Sequence, residues 1–240
     1  MYIGIDLGGT NIKAGLVDES YKIIHSGSVP TGAQRHYSEI IKDMATLAIN
    51  VAKEAGYDIE KDVKCVGIGS PGTCDNKNGL LIYSNNINFE NVPMRAEMNK
   101  YISLPIYIEN DANVAALGEY MILNDDTVDH FVAITLGTGV GGGVIINKQL
   151  YSGFNGAAVE IGHFQVMCEN GVACTCGRSG CWEAYGSVTG LIRITKEAIE
   201  KHPDCLMAKK VSEENGKVSG KTAFDCASRG DSIAQEVVDK

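Results

Sequence analysis

Three clusters of residues combine side chains and spacings that can do chemistry. The most specific is Glu160-Ile161-Gly162-His163, followed by Cys174-Thr175-Cys176 and then Cys181-Trp182-Glu183. The imidazole of His163 and the thiolates of Cys174, Cys176 and Cys181 make a tetrahedral Cys3His set for zinc, with Cys168 as the competing fourth ligand. Gly177 and Gly180 let the chain between Cys176 and Cys181 turn tightly around it. Four protein ligands leave no open position for water, so this zinc is expected to be structural and to fix the neighbouring carboxylates Glu160 and Glu183. Carboxylates that each accept two hydrogen bonds match adjacent hydroxyls on a sugar ring. As a glycosidase pair they are weaker candidates, because that chemistry leaves the glycine turns of this chain with nothing to bind. Trp182 is suited equally to stacking on a sugar and to core packing.

The second cluster is Asp6-Leu7-Gly8-Gly9-Thr10-Asn11-Ile12-Lys13, a carboxylate at a strand end followed by a tight turn with exposed amides and a hydroxyl. It suits phosphate and metal-associated water, although an Asp that simply opens a turn fits these residues as well. The pattern is not a P-loop, which needs Gly-Lys-Ser/Thr opening a helix, nor the dinucleotide fingerprint, which needs a helix after the glycines. The third cluster is Glu109-Asn110-Asp111-Ala112-Asn113. Asp111 stands where a strand ends and a helix begins; it can serve as a general base toward a bound alcohol or as the helix N-cap.

The elements that position these groups follow from hydropathic period. Residues 2–7, 12–17 and 21–29 read as a three-stranded meander. Ile40, Ile41, Met44, Leu47, Ala48, Val51, Ala52 and Ala55 fall at helical spacing from Ser38, the expected cap, to Gly56, the expected stop. A strand over 63–68, a short helix near 93–101, a strand over 104–109 and a helix over 112–123 follow, and such alternation argues for a largely parallel sheet. The pattern then restarts. Ile134-Thr135-Leu136-Gly137-Thr138-Gly139 and the strand through 144–146 echo the first glycine turn, as a duplicated fold or simply as another glycine hairpin. A helix near 188–199 and a final amphipathic stretch over 222–238 complete the pattern.

With 240 residues, 44% hydrophobic and 21% charged, the chain has the composition of an ordinary globular protein. Its 21 basic and 30 acidic side chains give a net charge of −9, which disfavours a nucleic-acid partner. No long apolar run signals a membrane span or export, so the eight cysteines are expected to be thiols or metal ligands in the cytoplasm.

Taken in order, Asp6-Leu7-Gly8-Gly9-Thr10, Gly67-Ile68-Gly69-Ser70-Pro71-Gly72, Asn110-Asp111-Ala112-Asn113, Leu136-Gly137-Thr138-Gly139-Val140-Gly141-Gly142-Gly143, Glu160-Ile161-Gly162-His163 and the Cys174 to Glu183 segment resemble the ROK family of repressors and sugar kinases over nearly the whole chain. The resemblance implies an α/β, duplicated actin-like or hexokinase-type (ribonuclease H-like) fold, with two domains around a cleft. Residues 1–110 would form the first, and residues 111–240 the second, which carries the zinc loop and is expected to be incomplete. It further implies an ATP-dependent hexose kinase acting on the C6 hydroxyl, with glucose favoured and Asp111 as general base. Asn86, Asn110, Asp111, Glu160, His163 and Glu183 would hold the sugar, His163 while also ligating zinc. Gly8, Gly9, Thr10, Lys13, Gly137, Thr138 and Gly139 would face the ATP phosphates, with Asp6 near Mg2+. A homodimer is implied as well. Family repressors carry a helix-turn-helix domain before the first strand, whereas this chain starts at the strand, which favours the enzyme. Family kinases continue beyond its last helix into strands that contact adenosine, which leads to the expectation of a fragment. The alternative is a non-catalytic sugar-binding or regulatory module.

Overall fold

The computed structural model describes residues 1–84 and 87–240, so the expected sugar contact Asn86 lies outside the described residues. The chain divides into two compact units, Met1–Ala133 with Gly143–Val159, and Ile134–Gly142 with Glu160–Lys240. The boundary expected between residues 110 and 111 falls inside the first of these.

The first unit opens with β1 (Tyr2–Leu7), β2 (Asn11–Val17) and β3 (Ile23–Pro30), the expected antiparallel meander. Strand alternation turns Ile3, Ile5, Leu7, Ile12, Ala14 and Leu16 to one face, where α1 (Tyr37–Glu54) covers them with Ile40, Ile41, Met44, Leu47, Ala48 and Val51. Gly56 ends this helix in the left-handed region, at φ 85°. The N-cap is His36 rather than Ser38: its Nδ1 accepts from the Ser38 backbone N–H and Ser38 lies inside the first turn. An imidazole acceptor lies outside the short polar side chains that favour this position.

After α2 (Ile59–Asp62) come β4 (Val66–Ser70), β5 (Thr73–Asp75), β6 (Leu80–Ser84), β7 (Phe89–Val92), α3 (Met94–Met98), β8 (Ile106–Asn110) and α4 (Asp111–Leu123). The five-stranded sheet has the order β3-β2-β1-β4-β8, with β1, β4 and β8 parallel. The separate β5-β6-β7 sheet was not expected, because strands of three to five residues are too short to show a readable alternation. Gly72, at φ 96°, makes the entry to β5 feasible; a Cβ there would stand 2.0 Å from the Tyr83 carbonyl oxygen.

The chain then forms β9 (Phe131–Leu136), β10 (Val140–Ile146) and β11 (Gln149–Leu150), in the order β11-β10-β9. The second unit continues with a 3-10 turn at Ile161–His163 and a cysteine-bearing loop, then α5 (Glu183–Gly186), α6 (Val188–Lys201), α7 (Leu206–Glu213), α8 (Thr222–Ala227) and α9 (Ser232–Val238). The final amphipathic stretch is therefore two helices, interrupted at Gly230 (φ 87°). Asp231 explains the break: its Oδ1 accepts from the N–H groups of Ile233 and Ala234, while its Oδ2 accepts from Leu206 and Met207, capping α9 and α7 together. Met207, Ala223, Cys226, Ala234 and Val237 are the buried core of this helical cluster.

Candidate functional site

Strand register brings the first unit's candidate residues to one edge of the sheet. Asp6 pairs with Gly69, Gly69 with Glu109, and Ser70 with Asn110, so Asp6 and the β8–α4 junction stand at the C-terminal ends of parallel strands. At about 4.8 Å per strand, two steps separate Asp6 from Glu109 by about 10 Å. The carboxyl ends of parallel strands are where open α/β sheets bind ligands.

Asn110 caps α4, its Oδ1 accepting from Ala112 at 2.9 Å and Asn113 at 3.2 Å, while its Nδ2 donates to the Gly72 carbonyl oxygen at 3.1 Å. The N-cap alternative for Asp111 is thereby excluded. Asp111 is the first helical residue; its Oδ1 accepts from the Ala112 N–H at 2.9 Å, and its Oδ2 makes no hydrogen bond among the described residues. The residue as a whole is exposed, while the protein atoms crowded around its carboxyl desolvate it enough to raise the pKa above the ordinary aspartate value. The Ala112 N–H opposes that shift and the negative charge of Asp6 reinforces it.

The β1–β2 turn is tight: the Gly8 N–H donates to the Asn11 carbonyl oxygen at 3.1 Å, and Thr31 donates to the Gly8 and Thr10 carbonyls. A Cβ on Gly8 would stand 2.8 Å from the Asn11 oxygen, which makes glycine necessary there. Lys13 Nζ lies 3.5 Å from Asp6 Oδ2, both exposed.

In the second unit, the Gly137 N–H closes the turn onto the Gly139 oxygen at 2.9 Å, and the start of α6 ties it down through Val188 N–H and Thr189 Oγ1. Glu183 was expected from sequence as a sugar ligand fixed by the adjoining zinc loop. Its Oε2 accepts from the Val140 N–H at 3.0 Å and its Oε1 takes the Thr175 hydroxyl at 3.4 Å. The approach requires residue 139 to be glycine, since a Cβ would stand 2.3 Å from Glu183 Oε2. Glu183 thus links the glycine turn to the cysteine loop, a contact across 43 residues that no local spacing announces. Glu160 is exposed, directly before the turn that carries His163.

The ligand atoms of His163, Cys174, Cys176 and Cys181 all lie within 4.8 Å of one another. His163 Nδ1 is 3.5 Å from Cys174 Sγ, and the sulfurs of Cys176 and Cys181 are 3.7 Å apart. Tetrahedral zinc with bonds of about 2.3 Å to sulfur and 2.0 Å to nitrogen gives edges of about 3.5 to 3.8 Å, so the donor chemistry and these two separations fit zinc. Exposed Cys168 stands outside this group. The loop is folded by Val166 and Met167 N–H groups donating to Gly180, and a Cβ on Gly180 would stand 1.8 Å from the Met167 oxygen. The backbone N–H of Arg178 and then its guanidinium bring the Cys176 thiol down to about 6, while burial beside the other thiols pushes Cys181 up to about 11.

A family model described as ROK family matches residues 2–240. The glucokinase of Thermotoga maritima is 37% identical over 241 residues, which cover 99% of this chain and 73% of that protein. The xylose repressor of Bacillus subtilis is 30% identical over 213 residues, covering 85% of this chain and 53% of the repressor. Among solved structures, a ROK family glucokinase from Streptomyces griseus in complex with glucose and AMPPNP superposes with a TM-score of 0.80 at 36% identity, over 98% of this chain and 73% of that one. The mixed α/β architecture is accordingly the actin-like, hexokinase-type fold of the ROK glucokinases.

Proposed function

The chain belongs to the ROK family, and from that premise we propose that it transfers the γ-phosphoryl group of ATP to the C6 hydroxyl of a hexose, glucose first. The observation that carries this reading is the state of Asp111: uncapped, open on one side, at the carboxyl end of a parallel strand, with a carboxyl made more basic by burial. As the sugar oxygen attacks the γ-phosphorus, Asp111 takes the hydroxyl proton and the bond to ADP breaks, so the proton leaves with the carboxyl group and the charge with the nucleotide. Asn86, Asn110, Glu160, His163 and Glu183 hold the sugar. The turns at Gly8-Gly9-Thr10, with Lys13, and at Gly137-Thr138-Gly139 face the phosphates, and the exposed carboxylate of Asp6 suits Mg2+-bound water. His163, Cys174, Cys176 and Cys181 would hold a zinc that would supply rigidity, and ligation through Nδ1, the nitrogen near Cys174 Sγ, would leave Nε2 of His163 to donate to the sugar.

A coupled assay of ATP turnover against a panel of hexoses tests the reading. Asp111→Asn is expected to lower kcat by roughly 10²–10⁴-fold with sugar affinity far less affected. Unchanged turnover would remove Asp111 from the chemistry. The kinship with a xylose repressor favours a second reading, a sugar-binding regulatory module, and sugar binding without any phosphorylated product, even in a chain extended by the family's further C-terminal strands, would select it.

A further inference from the structure

Glu109 has no part in the chemistry described above, yet its carboxylate is the most heavily bonded acidic group beside the candidate base. Oε1 accepts from the Asn110 backbone N–H at 2.9 Å and from Asn113 Nδ2 at 3.0 Å. Oε2 accepts from Asn76 Nδ2 at 2.7 Å and from Ser152 Oγ at 3.2 Å. All four donors are neutral, and no Lys or Arg pairs with Glu109 among the described residues. A charge kept at such a place without a counter-ion rests on hydrogen bonds and on the positive end of α4.

We propose that Glu109 is a positioning residue for Asp111, gathering the β5–β6 turn, the loop after β11 and the first turn of α4 into one fixed frame. The proposal rests on the reading of Asp111 as the base. In an ordinary capping box the third helical residue reaches back to accept the N-cap N–H. Here that residue is Asn113, which donates instead, and Glu109 takes the N-cap N–H itself. Asn110 is consequently held at three points, through its N–H, its Oδ1 and its Nδ2. Asp111 is the next residue, so its carboxyl inherits that placement. The Ser152 loop is fixed a second time by Gly156, whose backbone sits so close to β5 that a Cβ would stand 2.7 Å from the Cys74 oxygen. Misplacement of a base by about 1 Å can cost 10²-fold, which is the leverage such a frame has.

The test compares kcat and glucose KM for the wild-type chain, Glu109→Ala, Glu109→Gln and the pair Glu109→Ala with Asp111→Asn, together with crystal structures of the single variants. Glu109→Ala is expected to lower kcat roughly 10- to 100-fold with KM within about threefold. Glu109→Gln should lose less, since its amide oxygen can keep the Asn110 N–H while Asn76 and Ser152 reorient to accept from its NH2 group. The pair should be no slower than Asp111→Asn alone, because a frame without its base has nothing left to position. A rise in KM at unchanged kcat, or multiplied losses in the pair, would overturn the proposal. If Glu109→Ala does not fold, Glu109→Gln carries the kinetic comparison. Hexose turnover absent both from this chain and from one extended by the family's further C-terminal strands would refute the kinase reading, and the structures would then decide: a displaced Asp111 carboxyl supports the frame, and an undisturbed one refutes it.

Discussion

Asp111 is a carboxylate that the folded protein holds at a cost. Burial raises its folded-state pKa above the unfolded value of about 3.9, so between the two values the folded state binds more protons. Stability therefore falls as pH rises through that window, and the penalty is complete above the folded pKa. Asp111→Asn removes the charge, and thermal melts at pH 7 should find the variant as stable as the parent or more so, an advantage that fades below about pH 4. A lower Tm at pH 7 would mean that the ionised group stabilises the fold. The acid limb of kcat should likewise fall at a pH above the ordinary aspartate range. At this scale the sequence singled out Asp111 and left its role divided between cap and base. Asn110 takes both cap hydrogen bonds, with Gly72 drawing the other end of its amide, which removes the cap role from Asp111 and leaves the base as its proposed role.

The cysteine loop and the helical cluster have their own tests. Metal analysis should find about one zinc per chain, and Cys176→Ser should lose it. On the proposal that His163 would offer Nδ1 to the metal and Nε2 to the substrate, chelation is expected to weaken sugar binding along with stability; calorimetry showing an unchanged Kd in metal-free protein would refute the coupling. Asp231 caps two helices at once, so Asp231→Ala should cost about 2 kcal/mol in denaturant unfolding, more than a single exposed cap usually contributes. A loss under about 0.5 kcal/mol would show that water replaces those bonds readily. The set His163, Cys174, Cys176 and Cys181 was legible as a spacing, with Cys168 as its competitor. The fold of the loop around Gly180 gathers those four and leaves Cys168 outside the group.

The two units differ in how they are held together. Phe89, Ile3, Leu7, Ile12, Leu16, Ile40, Ile41, Met44 and Ile68, among the largest fully buried side chains, all belong to the first, whereas the helical cluster of the second is built on Met207, Cys226, Val237 and two alanines. Among the described residues no helix is long and apolar enough to cross a membrane. Hydrogen exchange is expected to show chelation loosening amides over residues 160–187 while the β1, β4 and β8 amides keep their protection; uniform loss across both units would contradict a local role for the metal. By itself the sequence determined the periodic elements around the first core, the glycine turns and the Cys3His set, because period, glycine and ligand spacing act over a few residues. Tertiary structure alone decided that Glu183 reaches Val140, that Asp231 serves two helices, that a small β5-β6-β7 sheet forms, and that Glu109 collects donors 33 and 43 residues away. Those contacts bring together groups distant in the chain, and packing and chain closure select them rather than local propensity.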